Sequence, residues 1–199
     1  MKKMISLLLV LVLGLSAAAA AAEEAGTVPA EDAGTVSAEP AAVYWADLAP
    51  AVEKAGIAGQ YYTLDSVKAV FWVPAFLQPF DSDATYGETG ALAWFKSEDQ
   101  KWGLVVSFYP LEVESIEEFA GMVPSLENVG ECKLVSINDV PACSLVFEDV
   151  LHVSYYAGEH SILSFDFYPA SDYVYSAVSR FIAASIAPYD PDAGSESAE

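Results

Sequence analysis

Positive charge is scarce in this chain: eight Lys and Arg stand against 29 Asp and Glu among 199 residues, a formal net charge of −21. That balance excludes sequence-independent binding to nucleic acid or to an anionic membrane surface, because both partners are polyanions. Histidine is rarer still. Only His152 and His160 occur, with no H-x-x-x-H or C-x-x-C spacing, so no zinc site of the usual kind is expected. A G-x-S-x-G elbow and a recognisable oxyanion loop are also missing. No cofactor is implied. Disorder throughout is excluded by the 54% of hydrophobic residues, 13% of the total being aromatic. The length suits one domain.

What is present sorts into four segments. In residues 1–22 a positive start (Lys2, Lys3), an apolar run over residues 4–15 and small residues from Ser16 to Ala22 make up a secretory signal. The run is short for a membrane span, and no cysteine lies near the cleavage site to carry a lipid. Residues 23–42 form a flexible acidic linker that includes most of an imperfect eight-residue repeat, A-E-E-A-G-T-V-P followed by A-E-D-A-G-T-V-S. Residues 43–188 are the folded domain, and residues 189–199 an acidic tail without apolar anchoring character. The protein is therefore expected outside the cytoplasmic membrane, with no membrane anchor once the signal is removed.

Within the domain, residues 45–56 read as a short helix that Pro50 should limit to its first turns. Residues 60–63 and 67–73 are β-branched and aromatic, hence strands, and Pro74 stops the second. Residues 75–80 suit a helical turn. Residues 91–96 and 101–109 form a hairpin in which Trp102, Leu104, Val106 and Phe108 share one face. Both faces are fairly apolar, which predicts a sheet covered at least partly on each side. Ser115 and Glu118 fit a capping box opening a helix that ends by Pro124.

Residues 132–137 and 140–147 pair around Asn138-Asp139, placing Cys132 diagonally opposite Cys143 on one face. A disulfide between them and two buried thiols both remain open. Residues 151–157 and 162–168 pair next. A loop centred on Glu159 is preferred, because it aligns Val153 with Phe165 and His152 with Asp166. Residues 171–186 close the chain as an amphipathic helix, with Ser171 as its expected cap and Val174, Val178, Phe181 and Ile182 on one stripe. The expected fold class is α+β: one domain, an antiparallel sheet of about six strands flanked by helices.

Three stretches carry a resemblance. They are the strand Phe71-Trp72-Val73-Pro74, the V-S-I-N-D-V-P-A turn of residues 135–142, and the strand-to-helix unit of residues 165–186. Together with the order of elements over residues 60–186, they make the chain resemble the PsbP-like α/β/α sandwich. That fold is named for an extrinsic subunit of photosystem II and found also in small exported bacterial proteins. The resemblance implies a non-enzymatic assembly or binding module, and no family binding residue maps onto this sequence.

The candidate chemistry is thin. His152, Asp166 and Ser154 or Ser164 fall on one sheet face, the residue types of an activated serine; a cross-strand ion pair is the favoured reading. Asp81-Ser82-Asp83 begins like a calcium loop, but Tyr86 stands in the glycine place and Leu92 where a bidentate glutamate belongs. Glu112, Glu114, Glu117 and Glu118 read as a solvated helix start. Tyr44, Trp45, Tyr61, Tyr62, Trp72, Trp94 and Trp102 are a stock of rings able to stack on sugars, with Trp72 and Trp102 expected in the core. Tyr156 and Tyr168, with His152 and Asp166, are the candidate ligand-binding residues. The functional expectation is a secreted, non-catalytic module that binds a protein or small ligand, with a cell-wall or glycan-binding module as the alternative.

Overall fold

A computed structural model describes residues 41–80, 90–123 and 132–189. The signal of residues 1–22, the repeat, the calcium-like loop of residues 81–88 and the tail from residue 190 lie outside the described residues. The elements, in chain order, are β1 (Ala41–Val43), α1 (Trp45–Lys54), β2 (Gly59–Leu64), β3 (Ala69–Pro74), β4 (Leu77–Pro79), β5 (Ala91–Ser97) and β6 (Gly103–Pro110). Then come α2 (Ile116–Met122), β7 (Lys133–Ile137), β8 (Val140–Phe147), β9 (Val150–Gly158), β10 (Ser161–Tyr168), α3 (Tyr173–Ala184) and β11 (Ala187–Pro188).

Eight strands make one sheet in the order β1-β7-β8-β9-β10-β6-β5-β4, and β11-β3-β2 make a second. The large sheet thus exceeds the expected six strands by β1 and β4. Ala41 and Ala42, assigned to the linker from sequence, pair with Val135 and Ser136 as the one parallel contact of that sheet among the described residues. Residues 77–79, expected as part of a helical turn, are a strand paired with β5. The reason lies at Pro74. It ends the pairing of β3 in the small sheet, and after a turn at Ala75-Phe76 the chain crosses to the edge of the large one. Pro50 sits inside α1 without ending it, since a proline there removes one rung of the ladder and the ten-residue helix continues past it.

The meander β7-β8-β9-β10 is held by three two-residue turns, Asn138-Asp139, Glu148-Asp149 and Glu159-His160, each with both residues at positive φ. Such turns match the right-handed twist of the strands they join. The last one corrects the expected loop. His152 does face Asp166 and Val153 faces Phe165, but through a two-residue turn followed by a register shift between Ser161 and Ile162.

Register sorts the large sheet into two faces. The inner face, with Leu104, Val106, Val153, Tyr155, Leu163, Phe165 and Phe167, packs against α3 and the small sheet. Ring contacts of Phe71 with Phe95 and Phe165 tie the two sheets together. Asp172, not Ser171, caps α3: its Oδ1 accepts from the Tyr175 amide at 2.9 Å. Ser171 instead donates its amide and its hydroxyl to Asp149. The outer face is covered over part of its area by α2, whose Ile116 and Ala120 join Val113, Cys143, Leu145 and Ile162 in a smaller core. Ser115 caps α2 as expected, while Glu118 accepts from the amide of Glu114 rather than that of Ser115.

Asn138 joins distant parts. Its Oδ1 accepts from the Trp45 amide at 2.9 Å, and its Nδ2 donates to the carbonyls of Ala184 and Ile186, each at 2.8 Å. One side chain therefore caps the end of α3 and holds the start of α1.

Candidate functional site

Among the described residues, the outer face beyond α2 stays partly open. Cross-strand register places Leu145, His152, Asp166, Val105 and Trp94 in one row across β8, β9, β10, β6 and β5. The next row holds Tyr168, Gly103 and Lys96. Apart from Leu145 and Gly103, these residues are neither buried nor fully exposed.

His152 Nδ1 donates to Asp166 Oδ1 at 2.8 Å, with side chains 26% and 24% exposed. Ser164 Oγ donates to the same oxygen at 2.7 Å. Its proton being so engaged, it accepts from Ser154 Oγ at 3.3 Å. This order matters for the chemistry. An activated serine needs its hydroxyl on the imidazole nitrogen that the carboxylate does not hold. Here both hydroxyls run toward the carboxylate and are buried. The result is the cross-strand pair favoured from sequence, extended by two serines, with Asp166 as the common acceptor.

The aromatic side of the row is equally ordered. Trp94 Nε1 donates to Tyr168 OH at 2.8 Å. The Tyr168 ring lies against Gly103, where a β-carbon would strike it. Burial pushes the Tyr168 phenol up, opposed by the bond from Trp94. Lys96 Nζ stands 4.0 Å from the Phe80 ring centroid and 4.5 Å from that of Trp94, a cation held by two ring faces. Tyr109, further along β6, is pushed up by burial and then by the Asp166 charge.

Of the four residues singled out from sequence, His152, Asp166 and Tyr168 come together on this surface. Tyr156 does not, because it packs into the smaller core beside α2. Trp94, Lys96, Gly103 and Phe80 were not singled out as a group. Alternation in β5 puts Trp94 and Lys96 on one face, and the order β10-β6-β5 brings that face beside Asp166. Cys132 and Cys143 are bonded, with Cα atoms 6.2 Å apart. Among the described residues no three His, Cys, Asp or Glu side chains gather as a metal site requires. None of their helices is long and apolar enough to cross a membrane. A cleft of about 160 Å³, lined in part by Val67, Ala69, Val140, Leu163 and Ile186, opens elsewhere and suits at most a benzene-sized guest.

No protein-family model and no curated protein matches the chain. Among solved structures it is similar to the solution structure of cyanobacterial PsbP (CyanoP) from Synechocystis sp. PCC 6803. The two share 15% identity at a TM-score of 0.46, over 67% of this chain and 94% of that one.

Proposed function

We propose that the chain is an exported, non-catalytic module that binds a small ligand on the open part of the outer face. The observation that carries this reading is the row from Leu145 to Trp94, with Tyr168 and Lys96 beside it. There an apolar strip, a fixed hydrogen-bonding pair and one ring-held cation meet on a rigid sheet. Sites of this make-up orient a ligand with few polar groups and bind it with apolar surface. The ligand suited to it has an apolar face and a hydrogen-bonding or anionic group within reach of His152 and Lys96. The catalytic alternative is disfavoured by hydroxyls that serve Asp166 rather than His152. Export is supported by the signal-like pattern of residues 1–22.

The test is affinity capture from spent medium and from cell-wall fractions, comparing the wild-type chain with Trp94→Ala and Lys96→Ala. A component retained by the wild type and lost from both variants supports the reading. A component retained equally by all three moves the site elsewhere, and no component from either fraction counts against a binding role.

A further inference from the structure

A second set of aromatic rings lies on a different surface, where α1 meets the small sheet. Tyr44, which precedes α1, is 39% exposed, and Tyr61 in β2 is 59% exposed. Trp45, which follows Tyr44 in the chain and bonds to Tyr61, is half-buried, its ring centroid 5.8 Å from that of buried Trp72 at an interplanar angle of 32°. Tyr61 is the direct register partner of Trp72, which puts their side chains on the same side of the small sheet. The Trp72 indole in turn fills the space where Gly59 would carry a β-carbon, giving the cluster a fixed floor.

The polar edges of these rings are already satisfied. Trp45 Nε1 donates to Tyr61 OH at 2.8 Å, and Tyr44 OH donates to Asp139 Oδ1 at 2.8 Å. What is left to a partner is ring face. Rings that only supported α1 would be covered by it, yet Tyr44 and Tyr61 are among the few large apolar side chains left exposed. The charges acting on Tyr44 are both carboxylates, Asp139 and Asp47. They repel an anionic chain and accept hydrogen bonds from hydroxyls.

We infer that Tyr44, Trp45 and Tyr61 form a stacking platform for a neutral polysaccharide. The C–H faces of successive sugar rings lie on the aromatic faces, and sugar hydroxyls donate to Asp139 and Asp47. Stacking needs large, rigid, amphipathic rings, and here the bond from Trp45 to Tyr61 and that from Tyr44 to Asp139 supply the rigidity. This surface is separate from the row around His152 and Asp166, so either site stands without the other.

The test uses the full chain with three probes: cellohexaose, N-acetylchitohexaose and the anionic polymer polygalacturonate, followed by calorimetry and tryptophan fluorescence. At least one neutral hexasaccharide binds and polygalacturonate does not. Tyr61→Ala and Tyr44→Ala each weaken that binding about fivefold or more while far-UV circular dichroism shows each variant folded at the assay temperature. Tyr61→Phe, which keeps the ring, loses less, and Trp94→Ala loses nothing. The inference is overturned if neither neutral hexasaccharide binds at millimolar concentration. It is overturned equally if polygalacturonate binds as well as they do, if Tyr61→Ala binds like the wild type, or if Tyr61 proves necessary for capturing a protein instead.

Discussion

Two buried phenols make the fold sensitive to alkali in a way that can be worked out in advance. Tyr155 and Tyr175 lie in the main core, and burial raises both well above the usual tyrosine value. Tyr175 is fully enclosed: its ring stacks on Trp102 with centroids 5.3 Å apart, and its hydroxyl donates to the Gly103 carbonyl at 2.7 Å. Tyr155 OH is 3.5 Å from the Ala183 carbonyl, a much weaker bond. In the unfolded chain each phenol ionises near pH 10, while in the folded chain both stay protonated. The folded state then binds more protons, and stability falls as pH rises above that point. Each tyrosine contributes a slope of about 1.4 kcal/mol per pH unit. At pH 11.5 the pair together costs about 4 kcal/mol, a large part of the ~5–15 kcal/mol that holds a domain.

The perturbation is the double variant Tyr155→Phe/Tyr175→Phe. At pH 7 it is less stable than the parent by about 1–2 kcal/mol, chiefly through loss of the bond to Gly103. Its stability then falls less steeply above pH 10, and it becomes the more stable of the two beyond about pH 10.5. Urea unfolding followed by far-UV circular dichroism at intervals from about pH 8 to 11.5 reads both curves. General repulsion in so acidic a chain grows with pH for parent and variant alike, so only the difference between them matters. Curves that run parallel above pH 10 would refute the assignment of the alkaline loss to these two phenols.

Three further outcomes are expected. Gly103→Ala drives a β-carbon into the Tyr168 ring, costs about 1–3 kcal/mol as overpacking, and shifts the Trp94 indole N–H resonance because its bond to Tyr168 is broken; an unmoved resonance would mean the ring relaxes in place. His160→Gly relieves a non-glycine residue at φ 54° while keeping the backbone carbonyl that accepts from the Leu111 amide, and thermal unfolding should show a gain of about 0.5–1 kcal/mol. Reducing the Cys132–Cys143 bridge, which spans a sequence separation of 11, releases the unfolded chain and lowers stability by about 3 kcal/mol, read from urea midpoints with and without reductant.

Regular alternation was the legible part of the fold. β6, β8, β9 and β10 alternate clearly enough that register followed from matching their faces, and the His152–Asp166 pair with it. β1 and β4 carry no such pattern, since three residues are too few to alternate. The Glu159 register came out right through a different loop, since a two-residue turn plus a shift offsets the strands as a three-residue loop does. The direction of the serine hydroxyls was not legible, because spacing puts Ser164 on the face of His152 without deciding that Asp166 takes its proton. Trp94 and Lys96 needed the order β10-β6-β5, which brings them beside a residue about 70 positions away.

The position of Asn138 has a consequence for how the molecule opens. Its three hydrogen bonds reach 93 positions back to Trp45 and 46 and 48 positions forward to Ala184 and Ile186. Elements at the two ends of the described chain are fastened at the tip of one hairpin. Local opening events are therefore shared. Loss of the Asn138 anchor frees the start of α1 and the last turn of α3 together, so the two are expected to open as one cooperative unit. Native-state hydrogen exchange should give the amides of α1 and of the C-terminal turn of α3 one common opening free energy. Asn138→Asp, which keeps the oxygen but loses both donors, should lower that value for both helices together while leaving β9 and β10 at the global value. Separate responses of the two helices would show that they open independently.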